Sequence, residues 1–479
     1  MIRVLKSSSL LVLQRLAQRL IGIVSTIILA RLLTPEDFGI VAKAMLVLWF
    51  AQTLCDASTE AYILQQKRIR RADLNSSWTL DLILKSGAFL FMCLAAPLIA
   101  NFQNQPELTL IIAVTGSTIV LEALKNPVFM IFKRRQRYEV VVKLFVAAKV
   151  AALFISIPIA YIYESYWSII LAQVFAELFL TVMSYRVSGY RPSLCFRKIP
   201  EQWHFSKWLI PRSMLGYFRN HLDTLLVSAH YGQSELGAYN NMKYFASIPM
   251  LQFLSPLMEP LHVELGKVGD DVREFRYQSD LTFRLIAILA ATVVGFLYVT
   301  AEPIVQLVLG DQWTPFSTLF SYFALLTIPF VFINQSFRIL MVANRTNYIF
   351  IYELISTTII GLVLILAADL SIENFILIKV LMEIVLSIAL YVYAYRRTMA
   401  ATPLGNTLYF SGLCVLGVTI TGWTADHLIT SSGTLPSIIL NGLYAGLFLI
   451  VACGGSYLFV FGSRERKLFG KISRSLLRK

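Results

Sequence analysis

Apolar segments of about 20 residues recur along the chain from Leu10 to Val460, separated by short polar connections. A bilayer core of about 30 Å requires about 20 apolar residues in a helix that crosses it. The pattern predicts an all-α membrane protein of about 14 transmembrane helices, with no room for a soluble domain. The predicted helices lie near 9–33, 38–63, 78–100, 107–132, 139–163, 166–187, 207–231, 235–262, 279–301, 315–342, 348–368, 371–395, 407–428 and 435–460.

Composition agrees with this pattern. The 479 residues are 57% hydrophobic and 15% charged, whereas soluble domains are about half apolar and about one-quarter charged. The N-terminal MIRVLKSSSLLVLQRL lacks a small-residue cleavage site, so we interpret it as the first permanent helix and not as a signal peptide.

The basic residues predict the topology. Of the 42 lysines and arginines, 27 fall in alternate connections and in the two ends of the chain, and the opposite connections contain none. Basic loops stay on the cytoplasmic side, so both termini should be cytoplasmic in a bacterial inner membrane. The net charge of +14 then faces anionic headgroups, which argues against nucleic-acid binding.

An internal repeat is suggested by a shift of 198 residues. The polar face of the first predicted helix then falls on that of the seventh, and TPEDFG (34–39) falls on GQSELG (232–237). The offset spans six helices, so the copies would share one orientation about a central cavity. We expect lobes at 1–190 and 191–400, followed by two extra helices and a basic cytoplasmic tail at 401–479.

Charged residues inside the predicted helices are the candidate site. An arginine at a helix centre costs about 2.5–3.5 kcal/mol on insertion scales, so it should face a cavity or a partner. Arginine also suits phosphate because its planar fork donates two hydrogen bonds. The predicted substrate-binding residues are Arg15, Arg19, Arg212 and Arg219, together with Lys43, Lys85, Lys125, Lys149 and Lys243.

Several charges have simpler explanations. Asp81/Lys85 and Lys379/Glu383 are spaced i,i+4 and could neutralise each other on one helix face. Arg284, near the start of its predicted helix, is expected to extend to the membrane surface.

Acidic residues in the helices are candidates for ion coupling: Asp56, Glu60 and Asp223. Asp56 and Glu60 lie one turn apart, so repulsion should raise one pKa, as a proton or cation carrier requires. A salt bridge from either acid to a cavity lysine or arginine is the alternative. The sequence has no GxxxxGK[ST] or HExxH motif and no catalytic constellation. We therefore expect no cofactor, no metal and a proton or sodium gradient as the energy source.

Four segments resemble the Wzx-type polysaccharide transporters: ILARLLTPEDFGIVA at 28–42, Asp56 followed by AYILQQ at 61–66, GAYNNMKYFASIPM at 237–250 and LVLGDQW at 307–313. The resemblance implies membership of the superfamily that also holds lipid II flippases and multidrug exporters, with two six-helix lobes and alternating access. It implies an undecaprenyl-diphosphate-linked oligosaccharide of O-antigen, capsule or exopolysaccharide synthesis as substrate. Relatives often have a glycine-containing run where this chain reads DASTEA (56–61), so the resemblance assigns Glu60 no role.

The expected partners of a flippase are membrane lipid, the lipid-linked oligosaccharide, a polysaccharide polymerase and a chain-length regulator. Two other functions are alternatives to a flippase. An ion-coupled multidrug antiporter of the same superfamily should have an acidic cavity and few buried arginines. A membrane glycosyltransferase or polymerase should carry a sizeable outward loop, and the outward connections here are short.

Overall fold

The computed structural model describes residues 19–55, 59–66, 68–135, 137–207, 209–269, 271–399, 401–428 and 434–456. All regular secondary structure in these ranges is helical. The first helix, α1, covers 19–32. The helices that follow are α2 (Pro35–Cys55), α3 (Thr59–Gln65), α4 (Arg71–Phe102), α5 (Glu107–Ala123), α6 (Val128–Arg134), α7 (Tyr138–Tyr163), α8 (Trp167–Val187), α9 (Ile199–Ser206), α10 (Leu209–His230), α11 (Gln233–Pro249), α12 (Ser255–Lys267), α13 (Val272–Val299), α14 (Ala301–Leu309), α15 (Ser317–Ala324), α16 (Thr327–Val342), α17 (Asn347–Leu366), α18 (Ile372–Met399), α19 (Leu404–Leu428) and α20 (Thr434–Gly455).

Ten helical segments within the described residues are long and apolar enough to cross a membrane. The count becomes eleven if α5 and α6, which meet at a bend of 63°, form one span. The chain is therefore a multi-pass membrane protein. A helix lies in each of the fourteen predicted intervals, but α10 carries Arg212, Arg219 and Asp223 and α11 has only 17 residues. The count of fourteen stays a prediction.

Both TPEDFG-like segments lie at the start of a helix. Thr34 precedes α2, and its N–H and hydroxyl donate to Asp37 Oδ2 at 3.0 and 2.7 Å while the Asp37 N–H returns a bond of 3.3 Å to Thr34 Oγ1. This is a capping box with proline at the first helical position. At the start of α11 the carboxylate of Glu235, the equivalent of Asp37, folds back over Gly232.

The equivalent glycines of the repeat lie at one close helix contact. A Cβ built on Gly39 would overlap the backbone carbonyl of Gln233, and a Cβ built on Gly237 would overlap that of Pro35. Residues 35 and 39 become 233 and 237 under the 198-residue shift, so the contact is reciprocal. The duplication itself stays a prediction.

Contacts between Cα atoms divide the chain into two compact units, Met1–Gly237 and Ala238–Lys479. The first unit packs α2, α4, α5 and α8 around an apolar cluster that includes Leu48, Ile111 and Ile170. In the second, α13 packs against α16, α19 and α20. The lobe boundaries expected at 190 and 400 stay predictions.

Candidate functional site

A cavity of about 780 Å³ lies inside the first unit. Six helices, α2 to α6 and α10, contribute most of its lining, and six of its lining residues carry charge: Glu60, Asp81, Lys85, Glu122, Lys125 and Lys133. Ligand pockets of proteins typically have volumes of about 300–1,000 Å³. The cavity is thus the candidate site of this unit.

The break between α5 and α6 positions two of the cavity lysines. Asn126 is 1% exposed, and its amide Nδ2 donates to the Tyr190 carbonyl at 2.8 Å while Ser184 Oγ accepts from its backbone N–H at 3.0 Å. Pro127 cannot donate a helical hydrogen bond, so the helix turns here by 63°. The turn brings Lys125 before it and Lys133 on α6 to the same cavity.

Each cavity lysine is paired with a glutamate from another helix. Lys85 Nζ lies 3.2 Å from Glu122 of α5, and Lys133 Nζ lies 2.7 Å from Glu60 of α3. Lys125 Nζ lies 2.5 Å from Glu177 of α8. These ion pairs connect five helices around the cavity.

The side chains of these ion pairs are only partly buried. The Lys85 and Glu122 side chains are 14% and 38% exposed, and those of Lys133 and Glu60 are 33% and 42% exposed. Burying an unpaired charge costs several kcal/mol, so the glutamates stabilise the lysines. An incoming anion could replace a carboxylate without leaving any lysine unpaired.

The predicted i,i+4 pairs have different outcomes. Lys379 and Glu383 form the expected ion pair at 2.9 Å in the second unit. Lys85 pairs with Glu122 of α5, a partner the sequence did not indicate, and Asp81 accepts a 2.9 Å hydrogen bond from the Thr59 hydroxyl. The α3–α4 and α4–α5 contacts are thereby polar as well as apolar. The Asp81/Lys85 pair stays a prediction.

Aromatic and amide side chains from α2 and α10 line the same cavity. The Trp49 and His221 rings stack with centroids 4.9 Å apart at an angle of 29°. The Tyr217 ring also contacts His221, with ring centroids 4.9 Å apart. Tyr217 is 5% exposed, and its hydroxyl donates to the Leu46 carbonyl at 2.9 Å. Gln52 and Asn220 complete this surface, which we call the aromatic wall.

Three of the predicted site residues cannot be placed in full. Arg15 and Asp56 lie outside the described residues, and so does the side chain of Arg212, whose backbone is part of α10. The predicted cluster of four arginines and the predicted Asp56/Glu60 pair therefore stay predictions.

The other predicted residues fall into two groups. Lys85, Lys125 and Glu60 line the cavity. Outside its described lining, Arg19, Lys149 and Arg219 are exposed and Lys243 is half-buried, with Lys243 Nζ 5.5 Å from the Tyr239 ring centre. Buried Lys43 donates to Gln105 Oε1 at 3.1 Å, and buried Asp223 accepts from the Thr224 N–H at 2.8 Å.

Lys133 lines the cavity although it lies just beyond the predicted helix at 107–132. Its position in the run KRRQR (133–137) hides it among loop charges. The Asn-Pro at 126–127 was the available signal, because proline often starts a new helix. A short helix from Val128 to Arg134 carries Lys133 to Glu60.

Comparison with known families places this chain among membrane proteins of polysaccharide synthesis. Residues 28–318 match the family model described as polysaccharide biosynthesis protein. The chain is 28% identical over 294 residues to the succinoglycan biosynthesis transport protein ExoT of Rhizobium meliloti (strain 1021), with 60% of this chain and 58% of that protein covered. It is 22% identical over 301 residues to the lipopolysaccharide biosynthesis protein WzxC of Escherichia coli (strain K12), covering 61% and 60%. These matches span about three-fifths of either relative.

Other similarities extend over most of the chain. The teichuronic acid biosynthesis protein TuaB of Bacillus subtilis (strain 168) is 18% identical, with 90% of this chain and 92% of that protein covered. The fold matches an inward closed structure of the lipid II flippase MurJ with TM-score 0.71, at 13% identity and 93% and 99% coverage. An inward-facing multidrug transporter of the MATE family matches with TM-score 0.51, at 13% identity and 80% and 95% coverage.

Proposed function

The chain belongs to the polysaccharide biosynthesis protein family, and we propose that it is a flippase for a lipid-linked oligosaccharide. The substrate is an undecaprenyl-diphosphate-linked repeat unit, moved from the cytoplasmic to the outer face of the inner membrane by alternating access. The unit serves O-antigen, capsule or exopolysaccharide synthesis. The names of ExoT and WzxC and the MurJ-like fold support this proposal.

The observation that carries the proposal is the cavity with three lysines. A diphosphate needs cationic partners in a place that lipid can reach, and Lys85, Lys125 and Lys133 line one volume of about 780 Å³. Charge-assisted hydrogen bonds to phosphate contribute about 1.5–3 kcal/mol each. The same lysines remain solvated or paired when no substrate is bound, which keeps the empty transporter stable in the membrane.

Exchange of partners provides the proposed binding step. The diphosphate takes the place of a glutamate on Lys85 or Lys133, which releases Glu122 or Glu60 from its cation. The released carboxylate is then the group that binds a coupling ion. Substrate binding and ion uptake are coupled in this scheme, and a proton or sodium gradient is the proposed energy source.

The multidrug antiporter remains the second candidate, favoured by the carboxylates Glu60, Asp81 and Glu122 in the cavity and by the MATE-like fold. Its substrates are organic cations, so its cavity lysines should hinder binding. Neutralising Lys85 distinguishes the two functions, because it should weaken binding of a diphosphate and strengthen binding of a cation.

The proposed topology places both termini in the cytoplasm. The basic connections then face the side where lipid-linked repeat units are assembled. A polysaccharide polymerase and a chain-length regulator are proposed partners, since the flipped unit must be joined to others on the outer face.

The test uses the purified protein reconstituted in liposomes, with binding of farnesyl diphosphate and flipping of polyprenyl-diphosphate oligosaccharide as readouts. Lys85→Met should weaken farnesyl diphosphate binding by about 10- to 100-fold, the loss of one charge-assisted contact. Glu122→Gln should instead strengthen it, because the competing carboxylate is gone. The opposite signs distinguish substrate contact from a structural ion pair.

Two double variants provide the controls. In Lys85→Met/Glu122→Gln both members of the ion pair are removed together, so a merely structural pair predicts normal transport, whereas the proposal predicts the same loss as in Lys85→Met. Lys379→Met/Glu383→Gln removes a comparable pair, with side chains 6% and 27% exposed, in the second unit and should leave diphosphate binding unchanged. Normal binding by the Lys85 and Lys133 variants would overturn the proposal.

A further inference from the structure

The aromatic wall of the cavity is not explained by binding of a diphosphate. Trp49, Tyr217 and His221 carry no negative charge that could pair with the cavity lysines. Gln52 and Asn220 are neutral amides. The Trp49 side chain is 40% exposed in spite of its size. An exposed tryptophan that stacks on a histidine inside a cavity offers a flat apolar surface for a ligand.

Polar groups accompany this surface at helical spacing. Gln52 is three residues after Trp49 on α2, and Asn220 is three residues after Tyr217 on α10, so each amide shares a face with a ring. Within the described chain neither amide forms a hydrogen bond with the protein. A terminal amide provides two donors and one acceptor oxygen, which match the hydroxyl groups of a sugar.

The wall is fixed in place before any ligand binds. The hydroxyl of Tyr217 ties α10 to the Leu46 carbonyl of α2 at 2.9 Å. His221 lies between the rings of Tyr217 and Trp49, each with its centroid at 4.9 Å. Thr53 Oγ1 donates to the Trp49 carbonyl at 2.7 Å. Such preorganisation reduces the ordering cost of binding.

We propose that Trp49 and His221 form a pyranose-binding subsite, with Gln52 and Asn220 as hydrogen-bonding partners of its hydroxyls. A pyranose presents C–H groups on one face and hydroxyls around its rim, and the wall presents a ring surface bordered by amides. The lysines lie in the same cavity, so one ligand carrying a diphosphate and a sugar occupies both parts. This inference rests on the proposed function and identifies the part of the substrate that the wall binds.

The experiment measures how much one sugar adds to binding. Affinities of the full-length protein in nanodiscs are compared for farnesyl diphosphate and for farnesyl diphosphate carrying glucose, galactose or N-acetylglucosamine. The wild type should bind at least one sugar-bearing lipid about tenfold more tightly than the sugar-free lipid, the equivalent of one or two added hydrogen bonds with stacking. The ratio of the two affinities is the readout, so loss of folded protein does not imitate the result.

Trp49→Leu should abolish the sugar increment and leave sugar-free binding within about twofold of the wild type, and Trp49→Phe should retain part of it because a ring remains. Gln52→Leu and Asn220→Leu should each reduce the increment by about threefold. Trp203→Leu is the matched control, since Trp203 is 41% exposed but lies on α9 and outside the cavity lining. It should keep the full increment.

Three outcomes would overturn the subsite. The first is a wild type with no increment for any of the three sugars, and the second is a Trp49→Leu variant that keeps the increment. The third is a Trp49→Leu variant that loses affinity for both lipids equally, which would place the ring against the lipid. Failure of the proposed function appears differently, as a wild type that does not bind sugar-free farnesyl diphosphate.

Discussion

The aromatic side chains of the two units have different surroundings. In the second unit Phe283 stacks on Tyr391 with centroids 4.9 Å apart at 13°, and Phe332 and Phe410 lie within 5.4 Å of each other. All four rings are fully buried. In the first unit the rings of the aromatic wall border an open cavity.

Charges follow the same division. Asp280 of the second unit accepts from the Tyr395 hydroxyl at 2.7 Å and from Asn406 Nδ2 at 2.6 Å, and Arg284 Nε donates to Asn406 Oδ1 at 3.1 Å. These bonds link α13, α18 and α19. The Lys379–Glu383 ion pair of the second unit is 6% and 27% exposed, less than the Lys85–Glu122 and Lys133–Glu60 pairs of the first unit. Under the proposed function, the polar groups of the second unit serve packing and those of the first bind the substrate.

The largest predicted effect is a loss of stability when a ring of the buried aromatic core in the second unit is removed. Phe283→Ala should reduce the free energy of unfolding by about 3–5 kcal/mol, because a fully buried ring leaves a cavity between α13 and α18. Phe129→Ala, at the cavity of the first unit, should cost much less because the ring already faces open volume. Thermal unfolding of both variants in detergent measures the difference. Equal destabilisation would contradict the division between the units.

Both units contain a close helix contact at a pair of glycines. The backbones of α2 and α11 meet at Gly39 and Gly237, as α13 and α19 meet at Gly295 and Gly417. Gly39→Val and Gly237→Val should each cost about 1–3 kcal/mol, because the overlapping atoms are backbone and cannot rotate away. The double variant should cost less than the sum, since one displacement relieves both overlaps.

Gly87→Val is the control for this pair, because a Cβ at Gly87 of α4 meets nothing within 4 Å. Thermal unfolding and transport are measured for all four variants. Additive losses, or losses no larger than that of Gly87→Val, would remove the argument that the two glycines form one reciprocal contact.

The sequence predicted the helices well because their signal is local. Apolar length correctly placed a helix in each predicted interval, and the cap at Thr34 is a short-range feature. The sequence did not predict α9 and α14, which lie between the intervals. The Wzx-type resemblance is confirmed by the family match over residues 28–318. The sequence also suggested the 198-residue shift, because its equivalent residues keep their spacing.

Contacts between helices distant in the sequence were not predictable in the same way. Nothing local indicates that Lys85 pairs with Glu122, or that Trp49 stacks on His221, 172 positions away. Arg284 was expected to reach the membrane surface, but α13 begins at Val272, about three turns earlier. The arginine is therefore held by Asn406 within the helix packing.

The segment 188–198 is another example of a long-range polar contact. It reads as an ordinary basic loop, but Asn75 Nδ2 donates to Ser193 Oγ at 2.7 Å and the Cys195 N–H donates to Thr79 Oγ1 at 2.9 Å. The Lys198 N–H adds a bond of 3.1 Å to Ser76 Oγ. The segment is thus fixed along α4, and its side chains have defined surroundings.

The smallest predicted effect concerns the thiol of Cys195 in this segment. The Ser76 hydroxyl, which donates to Sγ at 3.4 Å, and then the Arg197 N–H stabilise the thiolate and lower the pKa of Cys195 below its usual value. A lowered pKa means that the thiolate persists to lower pH than in an ordinary cysteine. In a variant whose other four cysteines are serine, alkylation by iodoacetamide should therefore rise at lower pH than for a free thiol. Ser76→Ala should move the profile to higher pH, whereas Thr79→Val, which contacts only the Cys195 backbone, should move it less. An unchanged profile in Ser76→Ala would show that the hydroxyl does not control the thiol. Labelling by a membrane-impermeant maleimide from the cytoplasmic side alone would also place 188–198 where the basic residues predict it.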